Sequence, residues 1–188
     1  MLKKKIARII SEVFNGFLTM ILTPLISILL SPLDFQRKAI LGIIYVLIPL
    51  LPYLLLRKLG LVSDYEFSKR KERPVYFFTL SILFGLTYLF VNTLGNEILS
   101  TISLNIFLVS TVISFITLLW KISGHMTYST LLFVTVIFLV DSPYLLLLFL
   151  FTPLIAWSRI VLGKHTLTQT MLGTLITLFL SILIYWGF

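Results

Sequence analysis

The chain has 188 residues, 59% of them hydrophobic and only 12% charged, against roughly 45–50% and 25% in a soluble domain. That balance excludes a water-soluble globular protein and implies an integral membrane protein. The formal charge of +8 would suit nucleic acid, but no soluble domain exists to present it, and the absence of cysteine excludes disulfide and thiol chemistry.

In chain order, seven apolar stretches lack Asp, Glu, Lys and Arg: residues 13–30, 39–56, 75–94, 102–120, 126–140, 142–157 and 166–188. At about 1.5 Å per residue and a hydrocarbon core about 30 Å thick, stretches near 20 residues cross as helices. The fifth and sixth are short for a crossing, and Pro24 makes the first the least regular. The basic start "MLKKKIARII" leads into an apolar run with no small-residue cleavage site, which reads as a retained helix. The fold expected is an all-α bundle of six or seven membrane helices. It forms a single domain over residues 1–188, with the core at 57–188.

The longest polar link is "RKLGLVSDYEFSKRKERP", punctuated by Gly60 and Pro74. Asp141, Ser142 and Pro143 supply turn chemistry that divides a long apolar region into a hairpin. Thirteen of the fifteen Lys and Arg lie in the N-terminal tail, in this link, or in the short links holding Lys121, Arg159 and Lys164. If the helices alternate from a cytoplasmic N-terminus, all thirteen face the cytoplasm, as the positive-inside rule expects. The expected location is therefore a prokaryotic inner (cytoplasmic) membrane, with the polar clusters on its cytoplasmic face. The sequence carries no signal of oligomeric state.

With the hairpin in place, "SKRKERP", "KISGH" and "SRIVLGKH" return to one face of the bundle. Each cation taken singly is explained by topology, and each histidine by hydrogen bonding at a helix end. The combination says more. Arg73 and Arg159 offer planar forks suited to phosphate oxygens, and His125 and His165 are the side chains fitted to proton transfer near neutrality. Both histidines stand at helix entrances, where free backbone N–H groups, those of Ser123 and Gly124 among them, favour an anion. The midspans are almost purely apolar, unlike the polar or broken helices of a transporter. Asn92 and Asn105 read as hydrogen bonds between helices.

"SGH" at residues 123–125 followed by "SRIVLGKH" at 158–165 resembles the second and third signatures of the type 2 phosphatidic acid phosphatase superfamily. Arg73-Pro74 resembles the end of its first, which runs Lys, six residues, Arg-Pro. The resemblance covers residues 57–169 with the flanking helices. It implies that His165 is the nucleophile, forming a phosphohistidine, and that His125 is the general acid. Arg73 and Arg159, with Ser123 and the Gly124 amide, would clamp the phosphoryl oxygens. It further implies that neither a metal nor another cofactor is needed. The partners would be the lipid bilayer and a lipid phosphate or diphosphate: an isoprenyl diphosphate, phosphatidic acid or phosphatidylglycerol phosphate. A lipid phosphotransferase, or a non-enzymatic protein binding lipid headgroups, would share these features.

Three positions depart from the superfamily pattern. Gln169 replaces the Asp four residues after the histidine; its carbonyl can accept the imidazole N–H, without the negative charge. Glu66 stands seven residues before Arg73, where a phosphate-binding lysine is expected, leaving Lys69 or Arg70 to substitute and Lys121 to supply part of the charge. Ile122 occupies the usual proline position before Ser-Gly-His.

Overall fold

A computed structural model describes residues 1–187 as eight α-helices with two short 3-10 segments and, among the described residues, no strand. The helices are α1 (Leu2–Val13), α2 (Gly16–Leu30), α3 (Phe35–Lys58), α4 (Arg73–Asn92), α5 (Glu97–Leu119), α6 (Gly124–Val140), α7 (Phe151–Val161) and α8 (Leu167–Trp186). Six stretches are long and apolar enough to cross a membrane, α1 and α2 together forming one of them; α6 is the shorter seventh. The last residue of the final apolar stretch, Phe188, lies outside the described residues.

The exposed and buried surfaces are distributed as lipid solvent requires. Leu, Ile and Phe face outward along the helices, as at Ile43, Leu54, Ile82, Leu86, Phe115 and Phe179, while small hydroxyl side chains lie inside. Thr23, Ser27, Ser114 and Thr177 return their hydroxyls to carbonyls one turn earlier at 2.7–2.8 Å, and others join helices. Tyr45 meets Ser103 at 2.7 Å, Thr135 meets Tyr185 at 2.7 Å, and Asn105 donates to Ser181 Oγ at 2.9 Å. Asn92, at the end of α4, likewise joins helices, accepting from Ser100 of α5 at 2.8 Å on the exposed surface.

The first apolar stretch breaks at Asn15, whose side chain accepts from the Phe17 N–H at 2.8 Å and starts α2. The short hairpin closes where Asp141 adopts a left-handed backbone (φ 47°) and Pro143 opens a 3-10 segment to Leu150. Because a 3-10 turn rises about 2.0 Å per residue against 1.5 Å for an α-helix, this segment extends the reach of the short α7. Helix α6 is the centre of the bundle, lying between α2 and α8 and buried from His125 through Phe133 apart from an intermediate Leu132.

Candidate active site

The bundle topology brings the starts of α4, α6 and α8 and the end of α7 to one end. That end holds Arg73, His125, Arg159 and His165, buried to 4%, 7%, 2% and 8% exposure. All four line one small cavity of about 40 Å³ together with Glu66 and Gly124.

The α7–α8 corner is set by backbone geometry. Gly163 takes φ 67°, a left-handed conformation that costs a side chain about 1–2 kcal/mol. Its N–H donates to Ile160 O at 2.9 Å and the Lys164 N–H to Arg159 O at 3.0 Å, which is a Schellman ending for α7. This reversal places His165 beside Arg159. Thr166 then opens α8 with a capping box: its hydroxyl accepts from the Gln169 N–H at 3.3 Å, and Gln169 Oε1 accepts from the Thr166 N–H at 3.2 Å.

The same Gln169 Oε1 lies 3.1 Å from His165 Nδ1. An amide oxygen only accepts, so Nδ1 carries the proton and Nε2 keeps its lone pair. Burial first, then the charges of Arg73, Arg159 and Lys121, push the His165 pKa down to about 3, against a small opposing effect of the Gln169 hydrogen bond. The imidazole is neutral at neutral pH, as a nitrogen nucleophile must be.

His125 is positioned by packing from two sides. Ser123 caps α6 through the Met126 N–H at 3.5 Å, and its own N–H donates to Gln169 O at 3.3 Å. A Cβ on Gly16 of α2 would meet Gly124 and the His125 N at 3.0 Å, and one on Gly173 of α8 would meet Ser123 O at 3.0 Å. Both glycines therefore let neighbouring backbone close on the Ser123–His125 turn. Ser123 Oγ accepts as the cap and keeps its O–H as a donor, but the side chain is fully buried and outside the cavity lining. Gly124 faces open space.

The two arginines are held differently. Arg73 donates through Nε to Phe67 O at 2.8 Å and through Nη1 to Ile122 O at 2.6 Å. Arg159 Nη1 donates to Ser11 and, at 2.9 Å, to Glu66 Oε1, and lies 3.2 Å from His125 Nε2. Its Nε is buried with no protein partner, an arrangement that costs about 1–3 kcal/mol unless an acceptor arrives. Ser11 Oγ is also 3.4 Å from His125 Nε2.

The remaining expected cations are less central. Lys69 is exposed and paired with Glu72 at 3.3 Å, and Arg70 donates to Leu118 O; neither lines the cavity. Lys121 also lies outside the lining, though burial and the charges of Arg73, Lys164 and Arg159 lower its pKa. Lys164, read from sequence as a topological cation, reaches Glu66 Oε2 at 2.5 Å and donates to Ser68 Oγ at 3.1 Å.

Glu66 itself is brought in by a built loop. Asp64 Oδ1 accepts from the Glu66 N–H at 2.9 Å and the Ser68 N–H at 3.3 Å, a side-chain turn of the kind Asp favours. Phe67 adopts φ 50° and stacks on Tyr76 at 4.1 Å, a backbone state that costs a non-glycine residue of order 1–3 kcal/mol. Burial favours the neutral acid, but the Lys164 and Arg159 contacts outweigh it and bring the Glu66 pKa down to about 2.

Among the described residues, no three His, Cys, Asp or Glu side chains are grouped as a metal site requires. Ser11, Gly16 and Gly173 carry no mark of this site in the sequence, whereas Glu66 stood out there only as a departure from the expected lysine. Gly163 was detectable as a glycine just past a helix end. No family model matches the chain, and comparison with curated proteins and with solved structures likewise yields no match.

Proposed function

We propose that this chain is an integral membrane phosphatase of lipid phosphates or diphosphates, of the type 2 phosphatidic acid phosphatase kind. The observation that carries the reading is the cavity formed by Arg73, His125, Arg159 and His165, with Gln169 against His165 Nδ1. In this reading, His165 Nε2 attacks phosphorus in line, and the N–P bond forms as the bond from phosphorus to the lipid oxygen breaks. His125, its imidazolium form favoured by the negative substrate beside it, gives its proton to the departing oxygen. Water then attacks the phosphohistidine, His125 takes up a proton from it, and phosphate leaves. Arg73 and Arg159 stabilise the charge spread over the phosphoryl oxygens. The reaction needs no metal in this scheme, and the site faces the cytoplasm.

The substrate's hydrocarbon has a place beside the cavity. An apolar groove of about 580 Å³ runs between α2 and α3, lined by Phe17, Leu18, Ile21, Leu50 and Tyr53, and it shares Asn15, Phe17 and Tyr65 with the cavity. A tail lying there would leave its headgroup at the two histidines. The test is phosphate release by purified protein from a panel of isoprenyl diphosphate, phosphatidic acid and phosphatidylglycerol phosphate. Release from at least one, lost in His165→Ala, supports the reading; no release from any, or release unaffected by His165→Ala, would overturn it.

A further inference from the structure

Glu66 is the sole acidic side chain lining the cavity among the described residues, and it sits where an anion belongs. One carboxylate oxygen is 2.9 Å from Arg159 and 4.0 Å from His125, the other 2.5 Å from Lys164. A phosphoryl group that takes Arg159 and Lys164 as its partners must compete with the carboxylate for them. The loop that carries Glu66 is ordered around Asp64, Phe67 and Ser68 rather than anchored through the carboxylate itself, so the side chain can leave while the loop remains.

We propose that Glu66 is a specificity-determining residue, an internal anion occupying the phosphate seat that a substrate must displace from Arg159 and Lys164. The inference rests on the phosphatase reading for the identity of the incoming anion. Its consequence is a charge threshold. A monoanion that replaces Glu66 exchanges one negative charge for another and gains nothing electrostatically, whereas a dianion adds a further charge facing Arg73, Arg159 and Lys164. The displaced carboxylate moves toward water, where its repulsion is screened. The site therefore admits phosphomonoesters and diphosphates and rejects phosphodiesters, the linkage within ordinary membrane phospholipids.

The test measures binding rather than turnover. Inorganic phosphate, methyl phosphate and dimethyl phosphate are titrated calorimetrically into the full chain in detergent and into Glu66→Gln at pH 8. Freed from its competitor, the variant binds phosphate and methyl phosphate about tenfold more tightly, because apparent affinity rises with the fraction of seats open, and it acquires measurable affinity for dimethyl phosphate. A second measurement uses the unaltered protein and so does not depend on the variant folding. A carbodiimide joins Glu66 to Lys164, and sulfate, a tetrahedral dianion inert to the reagent, suppresses the cross-link where chloride at equal ionic strength does not. Equal phosphate affinity in both proteins, or a cross-link indifferent to sulfate, would overturn the role of Glu66 while leaving the phosphate seat intact. Binding by neither protein would overturn both.

Discussion

The two stretches that meet at the cavity are built on opposite principles. The α7–α8 corner, from Arg159 to Gln169, is fixed by backbone: a Schellman ending at Gly163, then a capping box between Thr166 and Gln169. The link from Leu59 to Glu72 is shaped by its own Asp64 turn but meets the cavity through side-chain charges, with Glu66 on Arg159 and Lys164. Backbone motifs hold a nucleophile in one orientation, while ion pairs at a half-open site exchange partners when another anion arrives. The difference assigns the fixed geometry to the proposed nucleophile, His165, and the exchangeable contacts to substrate admission.

The largest break in that contrast comes from Arg159→Lys. An ammonium cannot span Ser11, Glu66 and the His125 edge as the guanidinium does, and turnover of the lipid phosphate falls about 10²–10³-fold, read as kcat. Gly163→Val strikes the corner directly. A β-branched residue at φ 67° costs about 1–2 kcal/mol, seen as a lower thermal midpoint in detergent accompanied by lost turnover. If the midpoint is unchanged, the corner is not held by the left-handed glycine.

The pH dependence follows from the same two regions. His165 binds its proton at a pKa of about 3 in the folded chain against 6.5 for the free side chain, so on acidification the unfolded chain takes up the proton first. Its contribution to stability is whole above pH 6.5 and drains away toward pH 3. Glu66, lowered to about 2 from 4.5, holds its contribution above pH 4.5 and loses it toward pH 2. Imidazole NMR checks the first: His165 shows no protonation between pH 8 and 5, and an ordinary midpoint near 6.5 would contradict the burial described here.

A smaller effect sharpens the role of the groove between α2 and α3. Ile21→Trp narrows it and raises KM several-fold for long-chain substrates while leaving short-chain ones unchanged, since one or a few methylenes in an apolar site are worth about 1–3 kcal/mol. Smallest of all are Lys69→Ala and Arg70→Ala. Both side chains are exposed and outside the cavity, so stability stays within about 0.5 kcal/mol and turnover is unchanged.

The helical stretches were legible because each apolar run reports its own burial in lipid, and the hairpin at Asp141–Pro143 because turn chemistry is local. Gln169 against His165 was legible for a similar reason, a four-residue helical spacing. Ser11 was not, since it meets His125 across 114 residues and Arg159 across 148, and no local pattern encodes such a contact. Gly16 and Gly173 act through the backbone they admit from other helices, which composition does not reveal. Reading charge by position alone looked for a cation near residue 66; the folded chain puts Lys164 next to Glu66 instead, so the charge of the region is set by pairing across the site.

The account's central claim is that His165 is the atom-transferring group, and it is tested most directly by trapping. Purified protein is mixed with a lipid phosphate labelled with ³²P on its terminal phosphoryl group, quenched in alkali within the first turnover, and digested for mass spectrometry. The account predicts label on His165 as an acid-labile, alkali-stable phosphoramidate, absent from His165→Ala. Turnover that proceeds with no label on His165, or that survives its replacement, would contradict it.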